Sequence, residues 1–309
     1  MGVQPFADWP RDPDHLRPSY LAKQLGMSVE AAKTRVRRLE KDGVISGYEI
    51  YPNTSHLGYL CVGYLFHLQR PATAQAMLDL QAVDNLGIIE RYLGPAIGVD
   101  LFDKSPAALE RRVQLVSRLL GATHHARYAS YPSAPVARRP TRLDWRIIHA
   151  LRGRATRPLP EVAQDLGVSA RTVSRHFGRM WTEGSIDTVV RLNTGNVPSL
   201  LFANVFVHFR QVPPAAVTQR LHRELDSQWA YCWSPPDRDV ANLVMGLVFH
   251  SPSHMQETVD RIRAMPDVAD ADILLSAQST SNEAWLTEAI ADAARAAPDE
   301  PESPVLSVS

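Results

Sequence analysis

Cysteine is almost missing from this chain: Cys61 and Cys232 are the two in 309 residues. That excludes a disulfide framework and a cysteine-based zinc site. Neither sign of charge is in excess, since 33 Lys+Arg balance 33 Asp+Glu. A nucleic-acid surface, if present, is therefore a local patch rather than a property of the whole chain. Long apolar runs are lacking too; none approaches the roughly 18 residues of a membrane span. "MGVQPFADWPRDPD" has no apolar core of the kind a signal peptide carries, so a soluble, cytoplasmic chain is expected. No phosphate-binding glycine loop and no serine-centred nucleophile motif occurs. The adjacent histidines of "THHAR" (123–127) fall on a predicted strand and point to opposite faces. These absences predict no enzyme, no catalytic residue, no metal and no cofactor.

What is present is a repetition. At an offset of 141 residues, "PSYLAKQLGMSVEAAKTRVRRLEKDGVI" (18–45) aligns without a gap to "LPEVAQDLGVSARTVSRHFGRMWTEGSI" (159–186). Ala22, Leu25, Gly26, Ser28, Arg38, Gly43 and Ile45 meet Ala163, Leu166, Gly167, Ser169, Arg179, Gly184 and Ile186. His67 meets His208 at the same offset, and five residues later in register Ser105-Pro106 meets Ser251-Pro252. Two repeats of about 140 residues account for the length, and a hydrophobic content of 45% is enough for real cores.

The punctuation of the aligned stretches sets their geometry. In the second, a short helix over 160–166 stops at Gly167, and Ser169 caps a further helix to about Thr182. Two helices joined by a glycine-containing turn make a helix-turn-helix. Val173, Phe177 and Met180 follow helical spacing and are expected inward, leaving Arg171, Arg175, Gly178 and Thr182 outward, flanked by Thr172, Ser174 and Arg179. In the first copy Ala32, Val36 and Leu39 are the inward set. Glu30, Thr34, Arg37 and Lys41 lie outward there, flanked by Lys33 and Arg38. Residues 28–41 carry five basic against two acidic side chains, and 169–182 carry three arginines and no acid. Each helix is thus a basic ridge in a neutral protein, although such ridges also occur on helices that only dock or dimerise. Glycine inside a helix costs about 1 kcal/mol relative to alanine, so Gly178 marks a place where another backbone comes close. After Gly43 and Gly184, "VISGYEIYPN" and "SIDTVVRLN" suit a wing hairpin in each copy.

Farther along, each repeat changes period. "GYLCVGYLFHLQ" (58–69) and "LLFANVFVHFR" (200–210) read as strands, followed by a helix, two strands, a helix opened by Ser-Pro, and a closing strand. The order β-α-β-β-α-β is that of a ferredoxin-like fold. Val62, Tyr64, Phe66 and Leu68 form the apolar face of the first strand, and Ala203, Val205, Val207 and Phe209 that of its counterpart. The mixed faces, with Leu65 and His67 in one and Phe206 and His208 in the other, invite a partner sheet, and the other copy is the obvious one.

The expected class is therefore α+β, in two repeats, each a winged helix-turn-helix followed by a ferredoxin-like βαββαβ sensor domain. The boundaries read as an irregular segment 1–17, a winged helix-turn-helix 18–55, a sensor domain 56–132 and a linker 133–142. A second winged helix-turn-helix 143–196, a second sensor domain 197–280, and a C-terminal helix with a disordered tail 281–309 follow.

These two elements together, "LAKQLGMSVEAAKTRVRRLEKDGVI" and "LDWRIIHALRGRATRPLPEVAQDLGVS" above all, resemble the Lrp/AsnC feast/famine regulators in a tandem duplicated form. The resemblance implies a sequence-specific transcription regulator acting as a covalent pseudo-dimer on double-stranded DNA. Its sensor sheets would mediate homo-oligomers and take a small-molecule effector, an amino acid or other metabolite; no effector-binding residue is assigned. It also implies that Arg171, Thr172, Ser174, Arg175 and Arg179 in one copy, and Glu30, Lys33, Thr34, Arg37 and Arg38 in the other, contact DNA. Lys33, Arg38 and Arg179 are expected on phosphates. The chain departs from the family in three places, one of them the unlike outward residues of the two helices, Glu30 and Thr34 against Arg171 and Arg175. "WPRDPDHLRP" stands where the first copy should have a helix like "LDWRIIHAL", and the Gly-Asp sensor signature is reduced to Gly94 with Ile97 where the acid belongs. Two further readings follow from the same architecture: a tetrapyrrole enzyme similar to the siroheme decarboxylases, using His67 and His208, and an adaptor that binds only protein.

Overall fold

The structure, a computed structural model, describes residues 18–131, 138–193, 197, 199–211, 215–225, 229–233 and 242–298. The Pro-rich N-terminal segment, the first half of the expected linker, residues 234–241 and the tail from 299 lie outside the described residues. The chain is mixed α and β and divides into two units, a helical one and a sheet one, each built from both halves of the sequence.

The helical unit falls within Asp8–Tyr59, Ser133–Asn196 and Ala284–Ser309. Its first half contributes α1 (Pro18–Gln24), α2 (Val29–Lys41), β1 (Ile45–Pro52) and a 3-10 turn (Thr54–Leu57). Ser28 caps α2 by accepting the Ala31 N–H at 3.2 Å. Gly26, at φ +61°, makes the turn before it in a conformation that a side chain would strain. The second half contributes α5 (Arg142–Leu151), α6 (Leu159–Leu166), α7 (Ala170–Thr182) and β6 (Ile186–Leu192), and α10 (Ala284–Ala296) packs on α5. Ser169 caps α7 in the same way as Ser28 caps α2, accepting the Thr172 N–H at 3.1 Å.

The core of this unit is unevenly shared. Val173, Phe177 and Met180 are buried as their spacing requires, on a helix that packs against α5 and α6, where Trp145, Ile147, Ile148, Leu151 and Val162 are buried too. In the first copy Ala32 is buried, Val36 is half-buried, and Leu39, expected inward, is 41% exposed. The physical reason is that no counterpart of α5 lies over α2 among the described residues.

The wing hairpins are a second correction. β1 and β6 pair with each other, antiparallel, with Gly47 opposite Arg191 and Pro52 opposite Ile186. One strand follows each of α2 and α7, and in the first copy the chain then leaves through the 3-10 turn, so the strand finds its partner in the other copy.

The sheet unit holds β2 (Leu60–Leu68), α3 (Ala74–Gln81), β3 (Leu86–Tyr92), β4 (Ala96–Asp103), α4 (Pro106–Leu120) and β5 (Ala122–Tyr131) from the first half. From the second it holds β7 (Leu201–Phe209), α8 (Ala215–Glu224), β8 (Trp229–Trp233), β9 (Asn242–Phe249), α9 (Pro252–Arg263) and β10 (Val268–Ser281). Ser105 and Ser251 cap α4 and α9, each with proline at the first turn where its missing N–H costs nothing. The strands form one antiparallel sheet in the order β5-β2-β4-β3-β10-β7-β9-β8. The same order of four is thus laid down twice and joined where Ser276 of β10 meets Tyr92 of β3.

Val62, Phe66 and Leu68 form a core with Leu80, Val113 and Val116, while Val205, Val207 and Phe209 do so with Leu221, Val259 and Ile262. The opposite faces cover each other. Leu65, Tyr92 and Ala96 of one half pack with Phe206 and Val244 of the other, and Tyr128 and Leu274 close the cluster. Tyr128 lies so near β2 that a side chain on Gly63 would stand 2.8 Å from its ring. A glycine in mid-strand, normally a weakness, is what admits the ring here.

Candidate nucleic-acid interface

Helix α7 has one face bare and one face tied down. Arg171, Ser174 and Arg175 are exposed along it, with Thr182 about two turns beyond Arg175. A Cβ added to Gly178 would meet nothing within 4 Å, so nothing among the described residues explains the glycine. Thr172 is half-buried, and its hydroxyl lies 2.8 Å from that of Ser169, which makes it part of the cap.

Arg179 is placed otherwise than expected. Its guanidinium donates to both carboxylate oxygens of Asp144, at 2.6 and 2.5 Å, and His176 Nδ1 lies 2.7 Å from the same carboxylate. Asp144 is completely buried at the start of α5, where it also closes a capping box with Thr141. A charge taken out of water in this way needs a partner, and Arg179 is that partner. The side chain assigned to a phosphate therefore fixes the angle of α7 on α5 instead. The sequence holds a trace of this: the Thr-x-x-Asp spacing of "TRLD" is a cap signature, although nothing in it names Arg179 as the second partner.

Helix α2 carries Glu30, Thr34, Arg37 and Arg38 exposed and Lys33 half-buried. Lys33 and Glu30 lie 3.5 Å apart. Arg38, aligned with Arg179, keeps 82% of its side-chain surface exposed and has Asp42 at 3.5 Å. Tyr48 of β1 donates its hydroxyl to Glu40 at 2.8 Å; burial and that carboxylate push the phenol upward.

A second feature of the helical unit gave no signal in the sequence. Glu49 of β1 is buried, with Arg152 Nη1 at 3.0 Å and Arg191 Nη2 at 3.2 Å. His56, in the 3-10 turn, lies 3.3 Å from Ser185 and edge-on to Trp145. Burial, with Arg139 nearby, lowers its pKa from 6.5 to about 4.

In the sheet unit His67 stacks on His124, ring centroids 4.2 Å apart, and His208 lies 3.7 Å from Asp272. His125 faces the other way, against Tyr64 and Phe66. Burial and His124 lower the His67 pKa. Among the described residues the buried ionisable side chains on the inner face are acids: Asp100, 3.4 Å from the Tyr128 hydroxyl, and Glu90, whose carboxyl burial pushes up and Ser276 partners. Among the described residues no group of three or more His, Cys, Asp or Glu could hold a metal, and no helix is long and apolar enough to cross a membrane.

Comparison with known proteins supplies a partial answer. The sequence profile of the winged helix-turn-helix DNA-binding family matches residues 12–46, which include α1 and α2. This chain carries a winged helix-turn-helix. No curated protein matches the sequence. Among solved structures, the siroheme decarboxylase NirDL is similar at 15% identity and a TM-score of 0.51, over 89% of this chain and 93% of that one. The same enzyme in complex with an iron-uroporphyrin III analogue gives 15% and 0.50 over the same shares. At this identity the likeness is one of fold. AsnC of E. coli is similar over 44% of this chain and 91% of its own, at 17% identity and a TM-score of 0.33.

Proposed function

We propose that this chain is a sequence-specific DNA-binding transcription regulator of Lrp/AsnC type, made of two protomer-like copies in tandem and acting as a covalent pseudo-dimer. The observation that carries the reading is α7: a helix held rigidly by buried Asp144 that presents Arg171, Ser174 and Arg175 to solvent. Rigid support behind a row of donors is what base readout in the major groove requires. The winged helix-turn-helix match on α1 and α2, and the element order that recurs in both halves, support the same reading.

Arg171 and Arg175 suit guanine, whereas Glu30 and Thr34 stand at the aligned positions of α2, and Glu can accept from the cytosine amino group. The half-sites are therefore unlike, about one helical turn or a multiple apart; a perfectly palindromic preferred sequence speaks against this. Arg38 and Lys33 serve phosphates. The sheet unit is the sensor, with a metabolite as effector, in a cytoplasmic protein that is not an enzyme. Its inner faces cover each other within the chain, so one chain is the binding unit.

The test is a fluorescence-anisotropy titration of promoter and random DNA at several salt concentrations, wild type against Arg171→Ala/Arg175→Ala. Tight, sequence-preferring binding that the double variant loses supports the regulator. Weak binding, indifferent to sequence and variant, overturns it.

One observation favours a second reading. The likeness to NirDL runs the length of the chain, and His67 stacks on His124 at the mixed face. Siroheme is a polycarboxylate, however, and the buried ionisable side chains of that face among the described residues, Asp100 and Glu90, are acids rather than cations. A Soret shift on adding a tetrapyrrole, lost in His67→Ala/His208→Ala, would restore the enzyme.

A further inference from the structure

The carboxylate of Glu49 is 4% exposed and joins three elements. Oε1 lies 3.0 Å from Arg152 Nη1 and accepts the Gly153 N–H at 2.8 Å, at the end of α5. It also accepts the Ile50 N–H at 3.1 Å, and Oε2 lies 3.2 Å from Arg191 on β6. Arg152 in turn donates to the Ile50 carbonyl at 2.8 Å and sits over the Tyr51 ring. At the 141-residue offset the counterparts of Glu49, Arg152 and Arg191 are Val190, Arg11 and Ile50, so the first half supplies the acid and the second half both bases, once.

An ion pair this buried is a poor way to gain stability, because apolar side chains of the same volume do as well or better. What it supplies is register. A two-stranded ribbon is marginal by itself, and a slip of one residue moves it about 3.4 Å and turns every side chain to the other face. Here register has a consequence beyond the ribbon. Helix α2 ends at Lys41 and feeds β1 at Ile45, while α7 ends at Thr182 and feeds β6 at Ile186. Ile186 lies opposite Pro52, at the far end of β1 from Ile45. The two recognition helices thus enter the ribbon at opposite ends, about 24 Å apart along it at the usual rise per residue.

We infer that Glu49, held by Arg152 and Arg191, is a positioning residue that fixes the distance and rotational phase at which α2 and α7 meet DNA, and so determines which half-site spacing this chain accepts. The inference rests on the regulator reading above.

The experiment compares wild type, Glu49→Gln and Arg191→Gln on duplexes carrying the preferred site with its half-sites moved apart by about 2, 5 or 10 base pairs. Arg191→Gln opens only the cross-strand arm and leaves Glu49 with Arg152, so a folded variant is available even where Glu49→Gln fails to fold; thermal melts check both. Wild type loses roughly tenfold or more in affinity on each insertion, the loss expected when one half-site can no longer be engaged. The variants bind the original site more weakly but lose less than about threefold on insertion. A folded variant with the wild-type dependence on spacing overturns the inference and leaves the regulator standing. A wild type that binds no DNA overturns both.

Discussion

The two helix-turn-helix motifs of the helical unit share a turn, a cap and an arginine, and differ in what stands behind them. Met180 is 1% exposed and its aligned partner Leu39 41%. Arg179 is clamped on buried Asp144, while Arg38 extends into solvent with Asp42 at 3.5 Å. Position 144 aligns with Val3 in the first copy, so no acid is there to take an arginine inward. The same residue type at the same motif position is thus scaffold in one copy and surface in the other. What decides between them is the preceding helix, not the motif. The helix of the second copy is tied to a buried acid, and that of the first has its basic side chains free of such a clamp.

The largest effect expected from this contrast is on stability. Asp144→Ala leaves the half-buried Arg179 with only Glu183 at 3.9 Å and should cost about 3–5 kcal/mol, whereas Arg38→Ala should change stability by less than about 0.5 kcal/mol. Denaturant titrations followed by tryptophan fluorescence separate the two, and equal losses would erase the comparison. Next comes affinity. Arg171→Ala/Arg175→Ala should weaken binding to the preferred DNA by about 100-fold, and Thr34→Ala/Arg37→Ala by about tenfold. Anisotropy titrations at fixed salt measure both, and a reversed order would make α2 the principal reader.

A third test uses pH. The folded-state pKa of His56, about 4, lies below its ordinary 6.5, so the neutral imidazole stabilises the fold above pH 6.5 and that contribution is lost as pH falls toward 4. Allowing for its partial exposure, the loss is about 2 kcal/mol. Thermal melts from pH 7 to 4 should show it in wild type and not in His56→Gln. The contact belongs to the second motif, through Ser185 and Trp145. Smallest of the four is Gly178→Ala, which should raise stability by up to about 1 kcal/mol because the Cβ has open space, and should weaken DNA binding a few-fold as the added methyl meets the approaching backbone. A stabilised variant with undiminished affinity would remove the reason given for the glycine.

The local signals in the sequence were sound where one short stretch decides the outcome. Ser28, Ser169, Ser105 and Ser251 all cap helices, and the alternation on β2 and β7 put Leu65 and Phe206 on the face where the two halves meet. The signals failed where a partner lies far along the chain. β1 and β6 have the composition of wing strands, but composition does not say which strand pairs with which. Arg179 has the composition of a phosphate ligand, and only the fold brings Asp144, 35 residues earlier, against it. Glu49 had no signal because its partners, Arg152 and Arg191, lie 103 and 142 residues away.

The ribbon of β1 and β6 has one more consequence. In a pair of separate chains such a strand exchange would form and dissolve with concentration, and a subunit could be traded for that of a relative. With both strands in one polypeptide, the local concentration of each for the other is on the order of millimolar whatever the abundance of the protein. Dilution does not undo the pairing, and partners are not shuffled. Freed from having to match a copy of itself, each half can also drift in its own direction, which is how a glutamate at position 30 can stand across from an arginine at 171 without loss of the whole.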